Sequence, residues 1–380
     1  MITRDNIINL AKRQHGVCVS IYLPTHKMGE EVQQDPIRLK NLLTDAKRQL
    51  EDQDLKEEEI KKLLEEPRKL LDQPLFWQHN DKGLALFISD ESFDYYRVPY
   101  SFKERAMVSY HYLITPLIPM ITLEGSYCVL TLSQKNVRLL KCRRGSVAEV
   151  NLEECPESFE EFQQYDEFQR NLQHHSGQGA GNTAIFHGQG GSEETDSEML
   201  SNYLRTIEKE VTSIMRKRND PLILTGVDGA ISEYRKVNHY DRLLDDAIIG
   251  NPDPKSDEEI KNEGWEIIED HFLQDMYNDI HRFGNLTGSD KHSDNLTNIV
   301  EAAYYGKIDS LFVPVGEHHW GWFDQESDVV HHSTNASGPE EHDLINMAAI
   351  KTLTQSGNVY ALEHEDMPNQ ASIAAIFRYS

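Results

Sequence analysis

Near the middle of the chain, Ser176 to Gly191 reads SGQGAGNTAIFHGQGG, a glycine-dense stretch with two Gly-Gln pairs, Gly177-Gln178 and Gly188-Gln189. Gln189 is the side chain near its end that could do chemistry. A primary amide neither titrates nor attacks, so its use is to hold a polar partner in place, between glycines that let another molecule approach the main chain. Glycine at this density also predicts an irregular loop rather than a helix or strand.

The elements that must carry this loop follow it directly. Leu200, Tyr203, Leu204, Ile207, Val211, Ile214 and Met215 recur at steps of three and four, the stripe of an amphipathic helix, and Thr195 with Glu198 fits a capping box at its start. The expectation is a polar glycine loop set on the N-terminus of a long packed helix.

Other candidate chemistry is weaker. Histidine pairs stand at His174/His175, His318/His319 and His331/His332. Zinc needs three or four converging ligands, and adjacent residues on a strand face opposite ways, so no metal is expected. Trp320 and Trp322 are read as cover for a core. The four cysteines, Cys18, Cys128, Cys142 and Cys155, follow no metal spacing and are read as reduced core thiols of a cytoplasmic protein. SGQGAG lacks both the apolar lead-in strand and the spacing of a dinucleotide fingerprint, and no Walker A pattern occurs, so no cofactor is expected. No apolar run approaches a membrane span, and the N-terminus MITRDNIINLAKRQ is amphipathic, not a signal peptide.

The net charge of −26 argues against DNA as a partner, because phosphate contacts need Lys and Arg. Its distribution is uneven. Residues 241–380 hold 8 Lys and Arg against 27 Asp and Glu, while residues 1–240 hold 30 against 37 and have room for local basic patches. Those patches are Arg138, Lys141, Arg143 and Arg144 around a hairpin, and Arg38 and Lys40, with Lys47 and Arg48, in the first domain. Arg216, Lys217 and Arg218 end the long helix, where cations are favoured on electrostatic grounds alone.

Taken in order, the pattern predicts an α/β (α+β) multidomain chain of three mixed domains. Residues 1–122 hold the strand VCVSIYLP, helices between Ile37 and Leu71, and the strand GLALFIS. Residues 123–239 hold the hairpin YCVLTL and VRLLKC, the glycine loop, its helix, and the buried-type strand PLILTGV. Residues 240–380 form an acidic domain that opens with a helical DRLLDDAIIG, continues with a helix presenting Trp265, Ile268, Phe272 and Met276, and alternates helix and strand as an α/β/α sandwich. The least structured interior segment is 325–342.

The closing pattern, a helix ending at Gly357, a strand at Val359, then SIAAIFRY, resembles the end of the third domain of archaeo-eukaryotic class-1 release factors and Pelota. AAYYGKIDSLFV is similar to that family's entry to domain three, PLILTGV to the strand after the domain-two helix, and GLALFIS and VSIYLP with IRLKNLLTDAKRQL to strands and a helix of domain one. The resemblance runs in order over nearly the whole chain and points to the bacterial branch of this superfamily.

The resemblance implies that the middle domain carries a Gly-Gly-Gln loop entering the peptidyl-transferase centre, where glutamine and main chain position water against the peptidyl-tRNA ester. The match here is His187, Gly188 and Gln189, with histidine in place of the first glycine. The family's codon-reading Asn-Ile-Lys-Ser motif has no counterpart where QQDPIRLKNLL stands. The implied function is therefore a ribosome A-site-binding translation factor, acting in rescue or hibernation, without codon-specific termination. Its implied partners are rRNA, tRNA and a translational GTPase of the elongation factor Tu type, with Arg138, Lys141, Arg143, Arg144, Arg38 and Lys40 on RNA. Two alternatives stand beside it: a peptidyl-tRNA hydrolase using Gln189, and a non-ribosomal binding module or enzyme on the same fold.

Overall fold

The computed structural model describes residues 2–13, 16–153, 155–156, 158–164, 192–333 and 341–379, with side chains in the helix that begins at 192 described from 199 onward. Two compact units result, one of Met1–Glu124 together with Phe272–Ser380, the other of Gly125–His271.

In the first segment, β1 (Cys18–Pro24), β2 (Gly83–Ile88), β3 (Phe93–Val98) and β4 (Arg105–Ser109) form an antiparallel sheet in the order β3-β2-β1-β4. β1 and β2 are covered on both faces, which is why they read as continuous apolar runs rather than alternating ones. Val19, Ile21 and Leu23 pack on one face with Leu39, Leu42, Leu43, Ala46 and Leu50 of the helix Asp35–Asp52. Cys18, Tyr22 and Phe87 face the other core, which continues into the last segment through Ile114, Ala302, Ile345 and Ala349.

The Gly125–His271 unit is built on β5 (Tyr127–Leu132), β6 (Arg138–Arg143), β7 (Ser146–Val150), β8 (Leu222–Gly226) and β9 (Leu243–Ile249), in the order β7-β6-β5-β8-β9. β5, β6 and β7 are antiparallel neighbours, while β8 and β9 run parallel to β5. The helix Ser192–Arg218 lays Tyr203, Leu204, Ile207, Val211 and Met215 on one face, beside Ile231, Tyr234 and Val237 of the helix Asp228–Val237. Thus the stripe that the sequence predicts is the buried side of the long helix. Thr195 and Glu198 lie outside the described side chains.

DRLLDDAIIG departs from expectation, for it is β9 and not a helix. Its apolar residues suit a helical stripe, but β8 offers an open edge of amide and carbonyl groups, and pairing with it decides the conformation. The border drawn at 239/240 falls between β8 and β9 of this one sheet.

In the last segment, β10 (His292–Ser293), β11 (Ile308–Pro314), β12 (Trp320–Asp324), β13 (Val329–Ser333), β14 (His342–Asp343), β15 (Asn358–Leu362) and β16 (Ala374–Phe377) make two sheets, β10-β16-β11-β15 and β13-β12-β14. Leu311, Val313, Val359 and Ala375 face the helices Leu296–Tyr304 and Leu344–Thr354, whereas Phe312, Tyr360 and Ile376 face Met276 and Phe283 of the helix Asp257–Asn285. This is the α/β/α layering. Gly306, at φ +70°, ends the helix Leu296–Tyr304 in the left-handed conformation that lets the chain turn into β11. Part of the stretch read as least structured is instead the hairpin partner of β12, with Trp322 stacked on His331 at 4.5 Å between ring centres. No described helix is long and apolar enough to cross a membrane.

Candidate nucleic-acid interface

His187, Gly188 and Gln189, with all of Ser176–Gly191, lie outside the described residues. Next to them stands the start of the helix Ser192–Arg218, whose far end is closed by Asn219 at φ 58° and carries the exposed Arg216, Lys217 and Arg218. Cations in that last turn oppose the negative end of the helix.

The hairpin cations come from β6 and the turn after it. Side chains alternate along a strand, so Arg138 falls with Leu140 and Cys142 on one face, and Lys141 and Arg143 fall with Leu139 on the face of the long helix. Arg138 is ion-paired with Asp257 at the start of the helix Asp257–Asn285, and its main-chain amide donates to Thr131 Oγ1 at 2.8 Å. The Arg144 guanidinium lies 5.3 Å from the ring centre of Trp265 in the same helix. Tyr127 anchors that helix by donating its hydroxyl to the Lys261 carbonyl at 2.5 Å, and Gly264 leaves room for the Tyr127 ring, since a Cβ there would stand 2.9 Å from it.

The quartet is therefore split. Arg138 and Arg144 are engaged with the helix Asp257–Asn285, while Arg143 is exposed and Lys141 half-buried, both without an ion pair among the described residues. The sequence offers no signal for Asp257 or Trp265 as partners, because Arg138 and Asp257 are 119 positions apart. In the other unit, Arg38 lies 3.5 Å from Glu104 Oε1 and 4.0 Å from the buried Asp35, whereas Lys40 is exposed and makes no ion pair among the described residues.

The cysteines are ill suited to reaction. Cys18, Cys128 and Cys142 are buried and Cys155 half-buried, and burial pushes each thiol up to about 12. Thiols held that far above neutral pH supply almost no thiolate.

Residues 127–270 match the family described as bacterial archaeo-eukaryotic release factor family 7. Over this segment, 144 of the 380 residues, the chain is similar to the bacterial archaeo-eukaryotic release factors. The matched stretch fills the Gly125–His271 unit almost end to end, and it contains the loop, its helix and the basic hairpin. The resemblance read from the sequence and this match name the same superfamily.

Among solved structures, the chain is similar to Archaeoglobus fulgidus Pelota at 11% identity, over 100% of this chain and 93% of that one, with a TM-score of 0.32. A ribosome-bound archaeal Pelota with ABCE1 aligns at 10% identity over 99% and 94%, with a TM-score of 0.37. Dom34 of S. cerevisiae, a translation termination-like factor interacting with Hbs1, aligns at 12% identity over 78% and 79%, with a TM-score of 0.34. No curated protein matches the chain.

Proposed function

We propose that this protein binds the ribosomal A site as a release-factor-like translation factor, acting in ribosome rescue or hibernation without reading stop codons. The observation that carries the reading is the family match over residues 127–270, the segment whose sequence holds both Gly188-Gln189 and the basic hairpin. Of the six cations named for RNA, Arg143, Lys141 and Lys40 make no ion pair among the described residues and are the RNA contacts we assign first. Arg138, Arg144 and Arg38 serve RNA only by leaving the partners they hold in the free protein.

A partner of the elongation factor Tu type is proposed for the acidic residues 241–380, where 27 carboxylates outnumber 8 cations and suit a basic protein surface. Co-sedimentation with ribosomes through sucrose tests the proposal. Binding that falls steeply as salt rises is the expected result. Absence of binding at low salt, with the translational GTPases supplied, overturns it and leaves the non-ribosomal module.

Hydrolysis of peptidyl-tRNA by Gln189 is the second reading, favoured by the Gly-Gln pair and opposed by His187 in the place of a glycine.

A further inference from the structure

β5, β8 and β9 run parallel, and the chain leaves their carboxyl ends in different directions: from β5 into the hairpin to β6, and from β8 into the helix Asp228–Val237. A crevice at such a point is where open α/β sheets hold small ligands. Here it is a cleft of about 480 Å³, within the size range of small-molecule sites. Leu132, Val137, Leu200 and Leu204 supply apolar wall, and Lys135 stands on the rim.

Two features point to an occupant. Tyr203 lines the cleft, is 1% exposed, and its hydroxyl has no hydrogen-bond partner among the described residues. A buried hydroxyl in that state is unfavourable unless a group in the cleft meets it. The helix Asp228–Val237 opens at Val227 with no side-chain cap. The amides of Ala230 and Ile231 go to the Val227 carbonyl, and those of Asp228 and Gly229 have no partner among the described residues. A Cβ built at Gly229 would meet nothing within 4 Å, so the main chain there is open to a ligand.

We propose that this cleft binds a small amphiphile, an apolar ring or chain carrying one anionic group. The apolar body lies against Leu200 and Leu204, a polar atom of it bonds the Tyr203 hydroxyl, and the anion sits at the Gly229 amide near Lys135. Asp253 lines the cleft and Asp228 opens the adjoining helix, which restricts the ligand to one charge and excludes polyphosphates. This inference is independent of the ribosomal reading.

The probe is anilinonaphthalene sulfonate, titrated by fluorescence into the folded full-length protein. We expect one saturable site per chain. Gly229→Trp, a substitution with open space around it, abolishes that site. Lys135→Glu, on an exposed side chain, weakens it about tenfold by reversing a charge beside the anion. Tyr203→Phe weakens it about fivefold while leaving the unliganded protein at least as stable, since the hydroxyl it removes has no partner. Failure of the native protein to bind the dye overturns the proposal. Equal binding by the native chain, Gly229→Trp and Lys135→Glu also overturns it, because the dye then sits elsewhere.

Discussion

The side chain of Asn346 is hydrogen-bonded to the main chain of Tyr112, 234 positions earlier, with Nδ2 donating to the Tyr112 carbonyl at 2.9 Å. Its Oδ1 accepts from the Ile114 amide at 2.8 Å and the Thr115 amide at 3.3 Å. One buried amide thus satisfies three main-chain groups and joins the first and last segments of the chain.

Asn346→Ala leaves those three groups without their partner. We expect a loss of about 2–4 kcal/mol in unfolding free energy, most of it from buried groups left unsatisfied. Urea unfolding of the variant measures it. A loss below about 0.5 kcal/mol, the level of an ordinary surface substitution, refutes the role assigned to Asn346.

His111 gives the fold a pH dependence. Burial holds its imidazole down to about 4, with the nearby His342 and Lys351 acting in the same direction, and its Nδ1 lacks a hydrogen-bond partner among the described residues. The folded protein therefore keeps His111 neutral where the unfolded chain takes up a proton. Stability is full above about pH 6.5 and falls as pH drops toward about 4, by on the order of 3 kcal/mol. His111→Phe should flatten this slope in urea midpoints measured across that window. An unchanged slope shows that other groups carry it.

On the proposed ribosomal reading, Lys141→Glu and Arg143→Glu each remove one phosphate contact. Ribosome affinity should drop, and each change should lower the logarithmic salt slope by about 1. Reversal of Arg138, already paired with Asp257, should instead cost fold stability. If thermal unfolding of the Arg138 variant is unchanged while ribosome binding falls, the division of the quartet is wrong.

The loop prediction turns on two side chains. If the first glycine position demands φ > 0 or close packing, His187 costs about 1–3 kcal/mol in the active arrangement. We expect little or no peptide release from peptidyl-tRNA by the native protein, and measurable release by His187→Gly. Adding Gln189→Ala to that variant should slow release by about 10²-fold. Strong release by the native chain that vanishes in Gln189→Ala would instead establish the hydrolase reading.

Much of the architecture is local and was legible without coordinates. The step of three and four from Leu200 to Met215 marks a helix because one side of it is buried. The unbroken apolar runs of β1, β2 and β8 mark strands covered on both faces. The Gly-Gln pairs are likewise visible as composition.

Tertiary structure decided the rest. DRLLDDAIIG carries a helical spacing of apolar residues, and only the open edge of β8 makes it a strand. Arg138 and Lys141 belong to one basic cluster in sequence, yet the strand sends them to opposite faces and Asp257 neutralises the first. Tyr112 with Asn346, and His111 against His342 at 4.9 Å, are likewise contacts between distant parts of the chain. A helical stripe or a buried strand repeats along the chain and leaves a period in the sequence. A contact between residues far apart in the chain has no period, so it exists only once the fold has brought them together.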